Sequence, residues 1–400
     1  MNDKFSLQTI IDCTNIVIQP DGDEFTIGDP YHTEFLRVPL IAAEIIKLLD
    51  GKNTLGDIQE KINGSFGEEV DIIDFMETLL EYGLIYKIND DVINPLIKRE
   101  PKAIYKKIGK AMFSSFSIAL YCFCFLSVCV LLISKPQLFP KYESLFIFDS
   151  LGLNALNLLV IAAIVKGLHE LGHFLAAAKE NVLSKIRFNL RLIWLVIETD
   201  MTGLWAKEKK ARYIPFIAGM MWDITIIFIV LSLQIIINKP IILEYLQIIS
   251  FVVTSSIVFQ FIIFLRTDLY FVLINWKNSA SLEQDSILYL KQKFLKKQTE
   301  TWELLPKNEK KVAIWFSYIY IVGAIIGIFG FIYFQFLPSV LVIQMIMKNL
   351  INQTVSSFYF WDSIIVMCVL ILQTIIFLFA IRNSRRDRRE RNLDKQRQAA

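Results

Sequence analysis

Six runs of predominantly apolar residues, near 112–134, 153–179, 212–236, 243–265, 312–336 and 358–381, dominate the chain. Each is close to or above the roughly 20 residues that a helix needs to cross about 30 Å of hydrocarbon. Inside lipid, every backbone N–H and C=O must find a partner within its own segment, so a run of this length becomes an α-helix. The expected fold is therefore a polytopic α-helical membrane protein of about six spans. Composition agrees, with 54% hydrophobic residues and 31 Phe, above the apolar share of an ordinary soluble domain.

The first run begins only after residue 110 and follows a segment that reads as folded, so no cleavable N-terminal targeting sequence is expected. Of the five cysteines, Cys122, Cys124, Cys129 and Cys368 fall inside expected spans and Cys13 does not. None has the spacing of a metal knuckle or a disulfide framework, and all five read as small buried apolar residues.

The net charge of +3 hides an asymmetry along the chain. Residues 1–90 hold 18 acidic against 6 basic side chains, a balance of −12, which leaves +15 on the remainder. The basic residues cluster beside the spans: Lys98 to Lys110, Lys207 to Arg212, Lys291 to Lys311 and Arg382 to Arg397. By the positive-inside rule these clusters face the cytoplasm, which six spans satisfy with both termini cytoplasmic. The expected location is a bacterial cytoplasmic membrane. A juxtamembrane position makes Arg385, Arg386, Arg388, Arg389 and Arg391 a lipid-facing, topology-setting tail rather than a nucleic-acid site.

Residues 1–92 are expected to form a small soluble α+β domain, followed by a basic linker over 93–111, the transmembrane domain over 112–381 and the basic tail over 382–400. Ile16-Val17-Ile18, Phe25-Thr26-Ile27 and Phe35-Leu36-Arg37-Val38 look like strands, separated by turn formers such as Pro20-Asp21-Gly22-Asp23. Three helices follow. The first spans Pro39 to Leu49. The second opens on Thr54 as N-cap and stops at Asn63-Gly64, and the third runs from Asp71 to Gly83. With Leu84 to Ile88 as a strand, the order is that of a winged helix. A balance near −12 argues against a phosphate partner and leaves a peptide as the better fit.

The stretch Ala42 to Thr54, the helix ending at Ile62 and Phe75 through Leu84 make this segment resemble the PqqD-like domains. That resemblance implies capture of the leader of a ribosomally made, modified peptide, with the leader adding as a strand. On this chain it would lie beside Phe35 to Val38 and against the helix from Asp71 to Tyr82.

The chemistry is concentrated in the second run. His169-Glu170-Leu171-Gly172-His173 is an HExxH motif holding two of the three histidines of the chain. On a helix, residues four apart share a face, so His169 and His173 can offer ring nitrogens to one metal ion with Glu170 beside it as a base. HExxH also arises by chance. At bilayer depth, however, ionisable residues cost about 2.5–3.5 kcal/mol each on insertion scales, so this trio is expected to be kept by function.

A catalytic zinc takes three protein ligands and leaves one position open. His32 sits in the acidic domain and reads as a surface or turn residue, so the third ligand is expected to be a carboxylate. The candidates are Asp200, Asp223, Asp268 and Asp362. Depth leaves Asp223 and Asp268, the latter provided that the fourth span continues to Trp276.

From about Leu158 to Leu273 the chain resembles the site-2 protease group of membrane zinc metallopeptidases, particularly the bacterial peptide zinc metalloproteases. His169 to His173 has the family's first motif. Arg266-Thr267-Asp268-Leu269-Tyr270-Phe271 resembles its Arg-Leu-Asp-Gly-Tyr-Tyr pattern, which implies Asp268 as third zinc ligand. Leu269 replaces the usual Gly, and the Asn-Pro pair expected upstream is absent; Asp223 remains the alternative. Between the motifs, Val182 to Trp205 alternates as strands do. The resemblance implies a hairpin there that offers an edge to an extended substrate.

The expected activity is zinc-dependent hydrolysis, with His169, His173 and Asp268 holding Zn²⁺ and Glu170 as general base. Lys166, one turn before His169, is expected to snorkel to the surface. The expected substrate is a leader-bearing precursor of a bacteriocin-like modified peptide, with peptide-modifying enzymes or an exporter as further partners. Two alternatives are a site-2 protease cleaving a membrane-bound regulator and a non-hydrolytic peptide exporter or immunity protein.

Overall fold

The computed structural model describes all residues except 1–4, 23, 31–33, 68, 96–99, 192–193, 280, 297–301, 304 and 400. His32 thus lies outside the described residues.

The N-terminal domain is built on strands β1 (Ile10–Asp12), β2 (Val17–Asp21), β3 (Glu24–Asp29), β4 (Glu34–Val38) and β5 (Asp50–Thr54), with β6 (Lys87–Ile88) and β7 (Asp91–Val92) closing it. They form two sheets, in the orders β2-β3-β4 and β5-β1-β6-β7. Helices α1 (Leu40–Leu48), α2 (Leu55–Phe66) and α3 (Ile72–Glu81) pack on them. Ile11, Leu55, Met76, Leu79, Leu84 and Ile85 are fully buried at the centre. Thr54 caps α2 through a reciprocal capping box with Asp57, and Asp71 caps α3 by accepting from the amides of Ile73 and Asp74.

Two readings of this domain are corrected. Helix α2 does not stop at Asn63-Gly64 but runs to Phe66, where Gly67 takes the left-handed conformation that ends it. Asp50 to Thr54, polar and turn-like in sequence, is a strand because its backbone pairs with β1.

Helix α4 (Ala103–Met112) occupies much of the segment expected as a linker. It packs on the long apolar helix Leu151–Lys179: Tyr105 meets Phe174 edge to face with ring centroids 5.1 Å apart. A Cβ on Gly109 would lie 2.2 Å from the backbone oxygen of Leu175. Gly109→Ala is expected to destabilise the chain by about 1–3 kcal/mol through overpacking against backbone, read as a lowered melting temperature in detergent.

The remainder is helical apart from one two-stranded hairpin between α6 and α7: α5 (Ser115–Ser134), α6 (Leu151–Lys179), α7 (Lys209–Ile236), α8 (Pro240–Phe259), α9 (Asp268–Lys277), α10 (Leu282–Leu295), α11 (Lys307–Gly330), α12 (Leu337–Asn352) and α13 (Phe358–Ala399). Among the described residues, six helical stretches are long and apolar enough to cross a membrane. The fifth is longer than its apolar run suggests. After α11 a π-helical turn over Phe331–Phe336 carries it into α12. The sixth continues as α13 through the segment expected as a separate tail, since Arg382 onward contains neither Gly nor Pro to stop it.

The fourth span is the main correction. It ends at Phe259 rather than running on to Trp276. Arg266 takes a left-handed backbone (φ 56°), the Thr267 hydroxyl donates to the Gln260 carbonyl (2.7 Å), and the amide of Asp268 donates to Gln260 Oε1 (3.1 Å). The chain turns there, and α9 starts at Asp268.

Candidate metal centre

The centre is assembled where α6 and α7 cross. Gly172, Ala176, Ala177, Ala218 and Gly219 permit a close approach, as small residues do between membrane helices. A Cβ on Gly172 would already lie 2.9 Å from the Ala218 carbonyl oxygen. His169 and His173, one helical turn apart on α6, therefore face α7 directly.

Each imidazole is fixed through Nδ1. His173 Nδ1 lies 2.7 Å from the carbonyl oxygen of Pro215, which can only accept, so Nδ1 carries the hydrogen. His169 Nδ1 lies 2.8 Å from Asp223 Oδ2, which also accepts from Ser256 Oγ at 3.0 Å. In neutral imidazoles both Nε2 atoms then present lone pairs. They sit 3.2 Å apart, and Asp268 Oδ2 is 3.1 Å from each.

With both imidazoles in that tautomer the three atoms offer only lone pairs to one another, an arrangement that a cation among them would satisfy. His169, His173 and Asp268 are a group that could hold a metal ion. Ligand atoms about 2.0–2.1 Å from a tetrahedral ion stand about 3.3–3.4 Å apart, close to the 3.1–3.2 Å observed. Gly219 makes the same point from the other helix. A Cβ there would come within 2.5 Å of Nε2 of both histidines, so at this position only glycine leaves the point of convergence open.

Glu170 is 2% exposed and contributes no atom to that triangle. Its Oε1 is 2.7 Å from Lys166 Nζ, and its Oε2 accepts from the Thr199 hydroxyl at 2.7 Å. Lys166 therefore does not simply snorkel; it pairs with Glu170 across one turn of α6. Thr199 comes from the antiparallel hairpin of β8 (Lys185–Arg191) and β9 (Trp194–Asp200).

The four candidate carboxylates separate clearly. Asp268 joins the histidines, carried there by the break after α8. Asp223 stands behind His169 and orients it, as outer partners of ligating histidines do. Asp200 pairs with Arg187 at 2.9 Å. Asp362 caps the other end of α6, accepting from the amide of Gly152 at 2.8 Å. Leu269 has no left-handed backbone; the positive φ falls on Arg266 instead, so no glycine is needed after Asp268.

Sequence reasoning missed Gly219, Thr199, Pro215, Ser256 and Gln260. One signal was present for Gly219: it lies four residues before Asp223 on α7, hence on the same helix face. The others act through contacts distant in sequence. Comparison with known proteins gives no match: no family model, no curated protein and no solved structure is similar to the chain.

Proposed function

We propose that the chain is a membrane-embedded zinc metalloprotease that cleaves a leader-bearing precursor peptide. The observation that carries this reading is the convergence of His169 Nε2, His173 Nε2 and Asp268 Oδ2 opposite Gly219, with a buried carboxylate, Glu170, adjacent. Two imidazoles and one carboxylate are a donor set typical of catalytic zinc. A bound zinc ion supplies Lewis acidity that brings a water's pKa to about 7.

The chain's own residues supply the rest. Asp223 and the Pro215 carbonyl hold the imidazoles in the tautomer that leaves Nε2 free. Lys166 and Thr199 fix the plane of the Glu170 carboxylate, one at each oxygen. Glu170 takes a proton from the attacking water and passes it to the leaving amine. The β8–β9 hairpin, linked to Glu170 through Thr199, is placed to receive an extended substrate by strand addition.

The N-terminal domain is the proposed leader-binding module, and β4, an edge strand, suits addition of a peptide. The basic clusters beside the helix ends support an orientation with both termini in the cytoplasm. The test is to incubate the full chain in nanodiscs with a quenched fluorescent peptide library. Zinc-dependent cleavage abolished by phenanthroline is expected; cleavage unaffected by the chelator would overturn the reading.

A further inference from the structure

We infer that the N-terminal domain is a positioning element of the metal centre, acting through Asp21 and Arg37. The inference rests on the reading of His169, His173 and Asp268 as a metal site. It goes further in making that site depend on how a separate domain is docked.

The turn between β2 and β3 is seated on the helices that carry the site. A Cβ on Gly22 (φ 76°) would come within 2.5 Å of Asn278 Nδ2, just beyond the end of α9. Beside it, Asp21 Oδ2 lies 3.8 Å from Arg212 Nη1 in the first turn of α7. Asp21 is 1% and Arg212 0% exposed. Arg37, on β4, donates to the Asn278 carbonyl (2.7 Å) and the Asp21 carbonyl (3.0 Å), and it pairs with Glu24 (3.3 Å) and with Glu309 at the start of α11.

The same two helices are tied to each other at this level. Asn275 of α9 donates to the Lys209 carbonyl of α7 (3.1 Å), and Arg212 Nη1 reaches Asn275 Oδ1 at 3.4 Å. Lys209 also donates to the Asn278 side chain.

From this base both helices lead to the residues that face the candidate metal site. Three residues beyond Arg212 on α7 stands Pro215, whose carbonyl holds His173; Gly219 and Asp223 follow on the same helix. Ten residues before Asn278 stands Asp268, about 15 Å away at 1.5 Å per residue. A small rotation of either helix alters the separation of Asp268 Oδ2 from the two Nε2 atoms.

The chemistry of the contact favours positioning over adhesion. Apolar packing would hold two domains together with little preference for register. A buried ion network is sensitive to placement, because a displaced charge is left without its opposite charge. In the docked placement seen here Asp21, Arg37, Arg212 and Glu309 each face an opposite charge, although Asp21 Oδ1 accepts and Arg37 Nε donates no hydrogen bond among the described residues.

The test uses the full chain in detergent, titrated with Co²⁺ and followed by its visible absorption, which reports both affinity and ligand geometry. Arg37→Ala and Asp21→Asn are expected to raise the apparent Kd about tenfold, within the range of couplings relayed through packed elements. Both should change the shape of the band. Arg37→Lys should recover part of the affinity, and Glu44→Ala, on the exposed face of α1, should match wild type. Asp21→Asn preserves side-chain shape and decides the matter if Arg37→Ala fails to fold. Wild-type affinity and spectrum in both variants would overturn the inference while leaving the metal site intact. Absence of Co²⁺ binding by the wild type would instead overturn the metal reading, and the inference with it.

Discussion

Glu170→Gln is expected to leave the metal content of the chain unchanged and to lower peptide hydrolysis by about two to four orders of magnitude, the usual contribution of a positioned acid–base group. The amide has nearly the shape of the carboxylate and keeps an oxygen for the Thr199 hydroxyl, which lies 2.7 Å from Oε2. It cannot take a proton from water at neutral pH. Glu170 is not among the three converging ligand atoms, so its replacement removes no ligand. Lys166 loses its ionic partner, but its side chain is 30% exposed rather than sealed in the protein, so the loss leaves no fully buried lone charge. Metal content and cleavage rate measured on the same preparation separate the two effects. Cleavage retained in this variant would remove Glu170 from its role.

Gly219→Ala is expected to abolish metal binding in a chain that still folds. The added methyl would stand 2.5 Å from both Nε2 atoms, inside any van der Waals contact, and it would crowd the two lone pairs that a metal would need. Neither histidine can retreat freely, since His173 is held by the Pro215 carbonyl and His169 by Asp223. The loss is expected to exceed the roughly 10–100-fold effect of removing an outer-shell partner. Gly167→Ala on α6 is the matched control. No atom lies within 4 Å of a Cβ at that position, so the substitution should keep full affinity. It should slightly stabilise its helix, by about 0.5–1 kcal/mol, because alanine loses less backbone freedom than glycine. Equilibrium dialysis against zinc on the three proteins gives the comparison directly. Wild-type affinity in Gly219→Ala would mean that the ion binds elsewhere.

Much of the helical architecture was legible because length alone decides it. Twenty apolar residues have one backbone solution in lipid, and the runs at 112–134 and 358–381 correspond to helices Ser115–Ser134 and Phe358–Arg386. What was not legible were the ends, where polar contacts take over. Nothing in the apolar run 243–265 shows that Gln260 will bind both Thr267 and Asp268 and stop the fourth span early. Conversely, no breaker separates Phe331 from Leu337, so the fifth helix passes beyond its apolar stretch. In the N-terminal domain, Thr54 was readable as a cap because capping is a local interaction. Strand β5 was not, since its Asp-Gly-Lys-Asn-Thr sequence is extended only through pairing with β1.

The site divides in the same way. His169, Glu170 and His173 were readable because the metal-ligand spacing is fixed by the helical repeat. Asp268, 95 residues from His173, was singled out by depth together with family resemblance, and Asp223 could not be set aside. The structure separates them through a difference invisible in sequence: one carboxylate meets Nε2 and the other meets Nδ1 of the same ring. Gly219 matters for the side chain it lacks, and a missing atom leaves no motif. Asp21 and Arg37 read as turn and strand residues of a soluble domain, and their role follows only from where that domain is docked.

The central claim is that His169, His173 and Asp268 together hold one metal ion. Zinc content per chain, measured on detergent-purified wild type, Asp268→Ala and Asp223→Ala, tests it most directly. The predicted result is about one zinc per chain in wild type, as for a catalytic site, none in Asp268→Ala, and weakened binding in Asp223→Ala that excess zinc restores. A folded wild-type chain without zinc, or loss confined to Asp223→Ala, would contradict the account.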